Sequence, residues 1–95
     1  MAILFSPKAI VDLSNIWQYT VEKWGENQAD SYINELSSAC NKLLDGLSQE
    51  ISVDYILPGY HKTLVGKHVI YFTRQETGLT IIRILHQRMD VDEVL

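Results

Sequence analysis

The chain opens on an apolar run, Met1 to Phe5, after which its hydrophobic positions change period. That run lacks a charged leader and a cleavage site, so it reads as a first strand and not as a targeting segment. Ser6-Pro7 has the chemistry of a helix start: a hydroxyl that can cap free N–H groups, then a proline at the first helical position. Ala9, Leu13, Ile16, Trp17, Thr20 and Trp24 recur at helical spacing, and Ile10 and Val21 widen the stripe. Gly25 ends this helix. A second begins almost at once, with Ala29, Tyr32, Ile33, Leu36, Cys40, Leu43, Leu44 and Leu47 on one apolar face from about residue 27 to 46, closed by Asp45-Gly46. Two helices joined so tightly must fold back on each other as an antiparallel hairpin.

The second half has the shorter period of strands. Asp54 to Pro58 reads as a loop or edge approach, because proline cannot donate to a sheet ladder. Tyr60–Val65, Lys67–Thr73 and Leu79–His86 are rich in β-branched and aromatic residues. Within the last of these, Ile81 to Leu85 is apolar on both faces except for Arg83, the mark of a central strand. Val65-Gly66 supplies a tight turn and Gln75 to Gly78 a longer one, so the three strands form an antiparallel meander. The expected fold is α+β, in the order β-α-α-β-β-β. An antiparallel sheet of roughly three to four strands is packed on one face by the N-terminal antiparallel helix hairpin. Residues 1–95 form a single domain without repeats or low-complexity segments.

Composition agrees with a folded core, at 46% hydrophobic and 21% charged residues. No apolar run approaches the roughly 20 residues that span a bilayer, so no membrane partner is expected. The lone Cys40 cannot close an intrachain disulfide and reads as a small core hydrophobe in a reducing, cytoplasmic setting. The net charge of −4 hides an asymmetry: residues 1–56 carry net −5, residues 57–90 net +3, and the last five residues net −2. The global field therefore opposes autonomous nucleic-acid binding, and only the second half offers a local positive patch.

Candidate chemistry concentrates after the last strand, where His86, Arg88 and Asp90 place polar groups at one rim of the sheet. For RNA cleavage, His86 or His61 could act as acid or base, with Lys62, Lys67, Arg74 and Arg83 stabilising the developing charge. Against that stands the acidic chain. The histidines His61, His68 and His86 have no metal spacing and read as strand-surface or rim residues; neither a metal nor a cofactor is expected. Arg83 reads as a core-edge arginine paired with a carboxylate. Trp17 and Trp24, seven apart on one helix face, pack the helix hairpin or form part of an exposed apolar groove.

The ordered set of pieces resembles the ParE branch of the ParE/RelE toxin superfamily, the plasmid-stabilisation toxins of bacterial toxin–antitoxin modules. The pieces are Ser6-Pro7-Lys8-Ala9, Asp12-Leu13 with Ile16 and Tyr19, and Trp24-Gly25 with Ala29 and Tyr32. Gly59 to Lys62, Gly66 to Tyr71, Ile82 to His86 and Arg88-Met89-Asp90 complete it, whereas Leu47 to Ile51 departs from the Asn-Pro-Gly-like residues frequent there in the family. The resemblance implies a RelE/ParE-like fold and a toxin neutralised by a cognate ParD-like antitoxin. It further implies that the toxin poisons DNA gyrase, at its A subunit, by protein–protein contact and without catalytic residues. On that reading Arg88, Met89, Asp90 and His86 meet the target, and Trp17, Trp24 and Tyr32 meet the antitoxin. The alternative from the RelE branch is a ribosome-dependent mRNA endoribonuclease, for which His86, Arg83 and Lys62 would be the catalytic set. A third is a toxin-fold domain that only binds its antitoxin. Fold alone does not choose among them.

Overall fold

The computed structural model describes residues 2–89. Its elements are β1 (Ala2–Phe5), α1 (Pro7–Trp24), α2 (Glu26–Leu44), β2 (Ile51–Ser52), β3 (Tyr60–Val65), β4 (His68–Gln75) and β5 (Gly78–His86). The helix pair covers one face of the sheet, as the periodicity implies. The sheet itself departs from a purely antiparallel meander. It has five strands in the order β1-β5-β4-β3-β2, and β1 runs parallel to β5. Ile51-Ser52, in a stretch the periodicity leaves unassigned, pairs antiparallel with Lys62 and His61. This short strand adds one reversal of the chain before β3, and β5 consequently runs in the direction of β1.

Ser6 explains how the chain turns from strand into helix. Its Oγ accepts the Ala9 N–H at 3.0 Å and donates to the Ile82 carbonyl at 2.6 Å, so one hydroxyl caps α1 and fastens it to β5. Only Gly25 separates α1 from α2, and Trp17 Nε1 donates to Asp30 at 2.9 Å across the hairpin. The main core sets Ala9, Ile16, Leu36, Cys40 and Leu43 of the helices against Ile70, Phe72, Leu79, Ile81 and Ile84 of the sheet. Fully burying a side chain such as Leu36, Leu43 or Phe72 contributes about 1.5–3 kcal/mol. Cys40 is part of this core, and burial pushes its thiol up to about 11, so it remains a protonated hydrophobe.

A second, smaller cluster lies on the opposite face, where Val53, Val69, Tyr71 and Leu85 pack with Ile56 and Tyr60. The 53–60 loop covers it, closed by Val53 N–H donating to the Tyr60 carbonyl and by Asp54 accepting the Gly59 N–H. Arg74 secures the end of α2, donating to both carboxylate oxygens of Glu50 and to the Leu43 carbonyl at 2.9 Å. Among the described residues no helix is long and apolar enough to cross a membrane.

One irregularity sets the geometry of the rim at the end of β5. The β4–β5 register shifts between Tyr71 and Phe72, so that Phe72 pairs with Ile81 while Tyr71 pairs with Arg83. Ile82 is the extra residue, a β-bulge in β5. Beyond β1, the outer side of β5 has no strand partner. Side chains from α1 take over there: Ser6 at the Ile82 carbonyl and Asp12 at the Ile84 N–H, 2.9 Å away.

Candidate functional site

Where β4 and β5 meet the β3–β4 turn, three aromatic side chains converge. Tyr32 comes from the sheet-facing side of α2, His68 from the start of β4 and His86 from the end of β5. Tyr32 Oη lies 2.6 Å from His68 Nδ1 and accepts the Lys67 N–H at 3.3 Å. The His68 and His86 rings face each other across the strand pair, edge to face, with centroids 5.5 Å apart. Gly66 makes the approach possible: a Cβ there would sit 2.8 Å from Tyr32 Oη, and its φ of +57° suits glycine. The segment after β5 folds back onto the same rim. Arg88 N–H donates to His86 Nδ1 at 3.2 Å, Met89 N–H to the His86 carbonyl, and Gln87 N–H to the Lys67 carbonyl, both at 2.9 Å.

Burial shapes the titration of this cluster. It holds His68 below the usual histidine range, helped by repulsion from His86, so the ring is neutral at pH 7. Burial also pushes the Tyr32 hydroxyl above its usual value, partly offset by the Lys67 N–H. A tyrosine poised as a nucleophile or base needs the opposite, a lowered pKa. The Tyr32–His68 contact is therefore built as a latch between α2 and the sheet.

The residues singled out from sequence are distributed as follows. Arg83 pairs with Asp12 of α1, Nε to Oδ2 at 2.8 Å and a terminal nitrogen to Oδ1 at 2.9 Å, with the two side chains only 17% and 11% exposed. It is the core-edge arginine expected, and Asp12 raises its pKa further. Lys62 shares a row with Tyr71 and Arg83, whereas His86 shares one with His68 and Val65. Those rows are three residues apart, roughly 10 Å along the strands, and their side chains leave opposite faces of the sheet. The set His86, Arg83 and Lys62 is thus not brought together. His86, Arg88 and Met89 do share the rim, with Met89 51% exposed; Asp90 lies outside the described residues. Trp17 is half-buried against α2, Trp24 is 72% exposed at the end of α1, and Tyr32 points to the sheet. The structure therefore does not gather these three on one surface. Among the exposed large apolar residues, Ile10, Val11, Tyr19 and Trp24 lie on α1.

Sequence reasoning named Asp12 only as part of the family resemblance and Lys67 only as a cation for RNA cleavage; it passed over Asp12 as the partner of Arg83 and the pairing of His68 with His86. The signals were present only in combination, as an Asp nearly two helical turns beyond the cap of α1 and two histidines flanking one hairpin. Among the described residues no group of three His, Cys, Asp or Glu side chains could hold a metal ion.

Comparison with known proteins gives this geometry a lineage. Residues 3–91 match the family model described as "ParE toxin of type II toxin-antitoxin system, parDE". The chain is 38% identical over 93 residues to "Toxin ParE1" of Mycobacterium tuberculosis, covering 97% of this chain and 95% of that protein. It is 32% identical over 85 residues to "Toxin ParE1" of Caulobacter vibrioides, covering 90% and 88% respectively. Among solved structures, the fold is similar to one from the "Chromosomal ParDE TA system from P. aeruginosa", with a TM-score of 0.75 at 19% identity over 90% of this chain and 95% of that one. It is also similar to one from the "YoeB-YefM complex from Staphylococcus aureus", with a TM-score of 0.64 at 14% identity over 92% and 97%. The family match and the relatives span nearly the whole chain, and the chain belongs to the ParE family of toxins from type II toxin–antitoxin systems.

Proposed function

We propose that this toxin poisons DNA gyrase, at its A subunit, by protein–protein contact in the cytoplasm, and that a cognate ParD-like antitoxin neutralises it. The observation that carries the reading is the near-full-length kinship with ParE toxins, at 38% identity, in a chain whose rim tyrosine, Tyr32, has its pKa raised by burial and not lowered. His86, Arg88, Met89 and Asp90 form the target-facing end. The antitoxin covers the outer flank of α1 around Trp17 and the exposed Trp24, where an amphipathic helix finds aromatic anchors. Tyr32 serves the antitoxin only indirectly, by fixing α2. The reaction needs no cofactor, because the toxin acts by docking.

The ribonuclease reading retains one supporting feature, the grouping of Tyr32, His68 and His86 on one rim. Of its proposed basic partners Lys67 shares the rim, but Arg83 is held by Asp12 and Lys62 leaves the other face, which counts against the set. Purified toxin incubated with gyrase, ATP and supercoiled plasmid is expected to accumulate protein-linked linear DNA. Untouched plasmid together with codon-phased mRNA cuts on ribosomes would establish the ribonuclease instead. Neither activity, with antitoxin binding intact, would leave a domain that serves only the antitoxin complex.

A further inference from the structure

The segment that follows β5 is held mostly by its own neighbours. Met89 N–H donates to the His86 carbonyl and Arg88 N–H to His86 Nδ1, bonds that fold the segment on itself. Beyond that local group, Gln87 N–H donates to the Lys67 carbonyl at 2.9 Å, and the His86 ring packs against the His68 ring across the strand pair. Its anchorage therefore runs through Lys67 and His68, where the chain turns from β3 into β4.

That turn is organised by one hydroxyl. Tyr32 Oη accepts the Lys67 N–H at 3.3 Å and lies 2.6 Å from His68 Nδ1 and 3.4 Å from the Val65 carbonyl. It also fills the space over Gly66, where a Cβ would meet it at 2.8 Å. Residues 65–68 are thus gathered around the head of a single phenol. The arrangement holds for either neutral form of His68. With the ring hydrogen on Nε2 the hydroxyl donates to Nδ1; with it on Nδ1 the ring donates to the hydroxyl, which turns its own proton to Val65. Both forms leave an oxygen lone pair for the Lys67 N–H. Among the described residues no hydrogen bond joins α2 directly to residues 87–89, so the tie from the helix to that segment runs through this turn.

We infer that Tyr32 is a positioning residue for the target-facing segment: its hydroxyl sets the β3–β4 turn, and the turn sets the backbone that presents Arg88 and Met89. The inference rests on the reading that this rim faces gyrase. An interface anchor gains from a backbone fixed before encounter, because ordering a loose segment on binding costs affinity. The ring and the hydroxyl of Tyr32 have separate work. The ring packs against the main core, as a phenylalanine would, whereas only the hydroxyl reaches the polar groups of the turn. Tyr32→Phe therefore keeps the packing and removes the one atom around which the turn is built.

Amide hydrogen exchange measured by NMR on Tyr32→Phe, beside the wild-type chain, tests this. Exchange at Lys67, Gln87, Arg88 and Met89 is expected to quicken by roughly five- to tenfold, the effect of losing one hydrogen bond near the surface. The Val53 and Gly59 amides, bonded within the 53–60 loop on the other face, are the controls and should keep their rates. In the plasmid-cleavage assay the variant should need about tenfold more toxin for equal cleavage, the cost of ordering the segment on binding. Antitoxin affinity should move by less than about threefold, as for a residue outside the contact surface. Unchanged exchange at residues 87–89, or equal acceleration at the Val53 and Gly59 amides, overturns the inference. Undiminished poisoning by a variant whose segment has loosened overturns it as well. A wild-type toxin that leaves the plasmid intact sinks the gyrase reading instead, and the exchange comparison, which contains no gyrase, still decides whether Tyr32 holds the segment.

Discussion

At the scale of single residues, Asp12 ties the fold together more than its place in the sequence suggests. One carboxylate takes two guanidinium bonds from Arg83 and the backbone N–H of Ile84, where β5 has lost its strand neighbour. Removing it leaves a largely buried guanidinium without that carboxylate and a strand N–H without its acceptor. Asp12→Ala should therefore cost about 3–5 kcal/mol, which in a domain of this size lowers the melting temperature by roughly 12–30 °C. Calorimetry checks the size of the loss. The double variant Asp12→Leu/Arg83→Met, which removes both charges, should recover a good part of it; a double variant no better than Asp12→Ala would place the loss in the Ile84 N–H alone. The sequence shows Arg83 as an anomaly in an apolar strand and so calls for a carboxylate partner. Its identity was not legible, since the pair closes 71 residues apart along the chain. Gly78 teaches the same lesson. It reads as a turn glycine, yet a Cβ there would collide with the Ala2 backbone, so it is also what lets β1 dock beside β5.

At the scale of elements, both helices and the three long strands were legible because each buries one face and shows it as a period. What the period could not show is the register. Counting outward from the β4–β5 turn pairs His68 with Leu85; the Ile82 bulge moves the partner by one, to His86, and so creates the rim. The two-residue β2 escaped for a related reason, being too short to display any alternation. The Tyr32–His68 latch gives the helix–sheet junction a pH window that can be measured. The folded state holds the His68 pKa below its ordinary 6.5, so at acid pH the unfolded chain takes up the proton more readily. Stability is then lost as pH falls from 6.5 towards the folded value. The folded state holds Tyr32 above its ordinary 10.0, so the unfolded chain loses that proton first and stability falls as pH rises past 10.0. Urea midpoints measured across pH should accordingly show a plateau from 6.5 to about 9. There the buried Cys40 thiol, raised to about 11, begins the alkaline fall that Tyr32 and Tyr71 then extend past 10.0. Tyr32→Phe should reduce the alkaline fall past 10.0, leaving the contributions of Cys40 and Tyr71 and much of the acid fall, since desolvation of His68 persists. An alkaline fall of equal size in Tyr32→Phe would assign it to some other group.

At the scale of the whole molecule, the proposed function gives two ends different work, the acidic helix pair to the antitoxin and the rim of the more basic second half to the target. The outer flank of α1 offers aromatic side chains on an acidic helix pair, whereas the rim offers cations and donors. The charge asymmetry was readable from the sequence, but the separation of Tyr32 from Trp17 and Trp24 was not, because the facing of α2 depends on contacts with the β3–β4 turn. Truncation after Gln87 separates the two ends. It removes the Arg88 N–H bond to the His86 ring and the Met89 N–H bond to the His86 carbonyl, both at the surface. Each bond is worth about 1 kcal/mol or less there. Among the described residues, the main core and the cluster beneath the 53–60 loop contain none beyond Leu85, so the truncated protein should remain folded. Gyrase poisoning should nevertheless disappear, because Arg88 and Met89 are the kinds of side chain that anchor an interface, a forked cation beside an adaptable apolar contact. Antitoxin affinity, resting on the far flank of α1, should weaken by no more than about tenfold, or 1.4 kcal/mol. Binding calorimetry on the truncated toxin, run beside the plasmid-cleavage assay, measures both. Full cleavage activity in the truncated protein would move the target surface away from this rim, and a collapse of antitoxin binding would mean that the antitoxin reaches across the molecule to cover the rim itself.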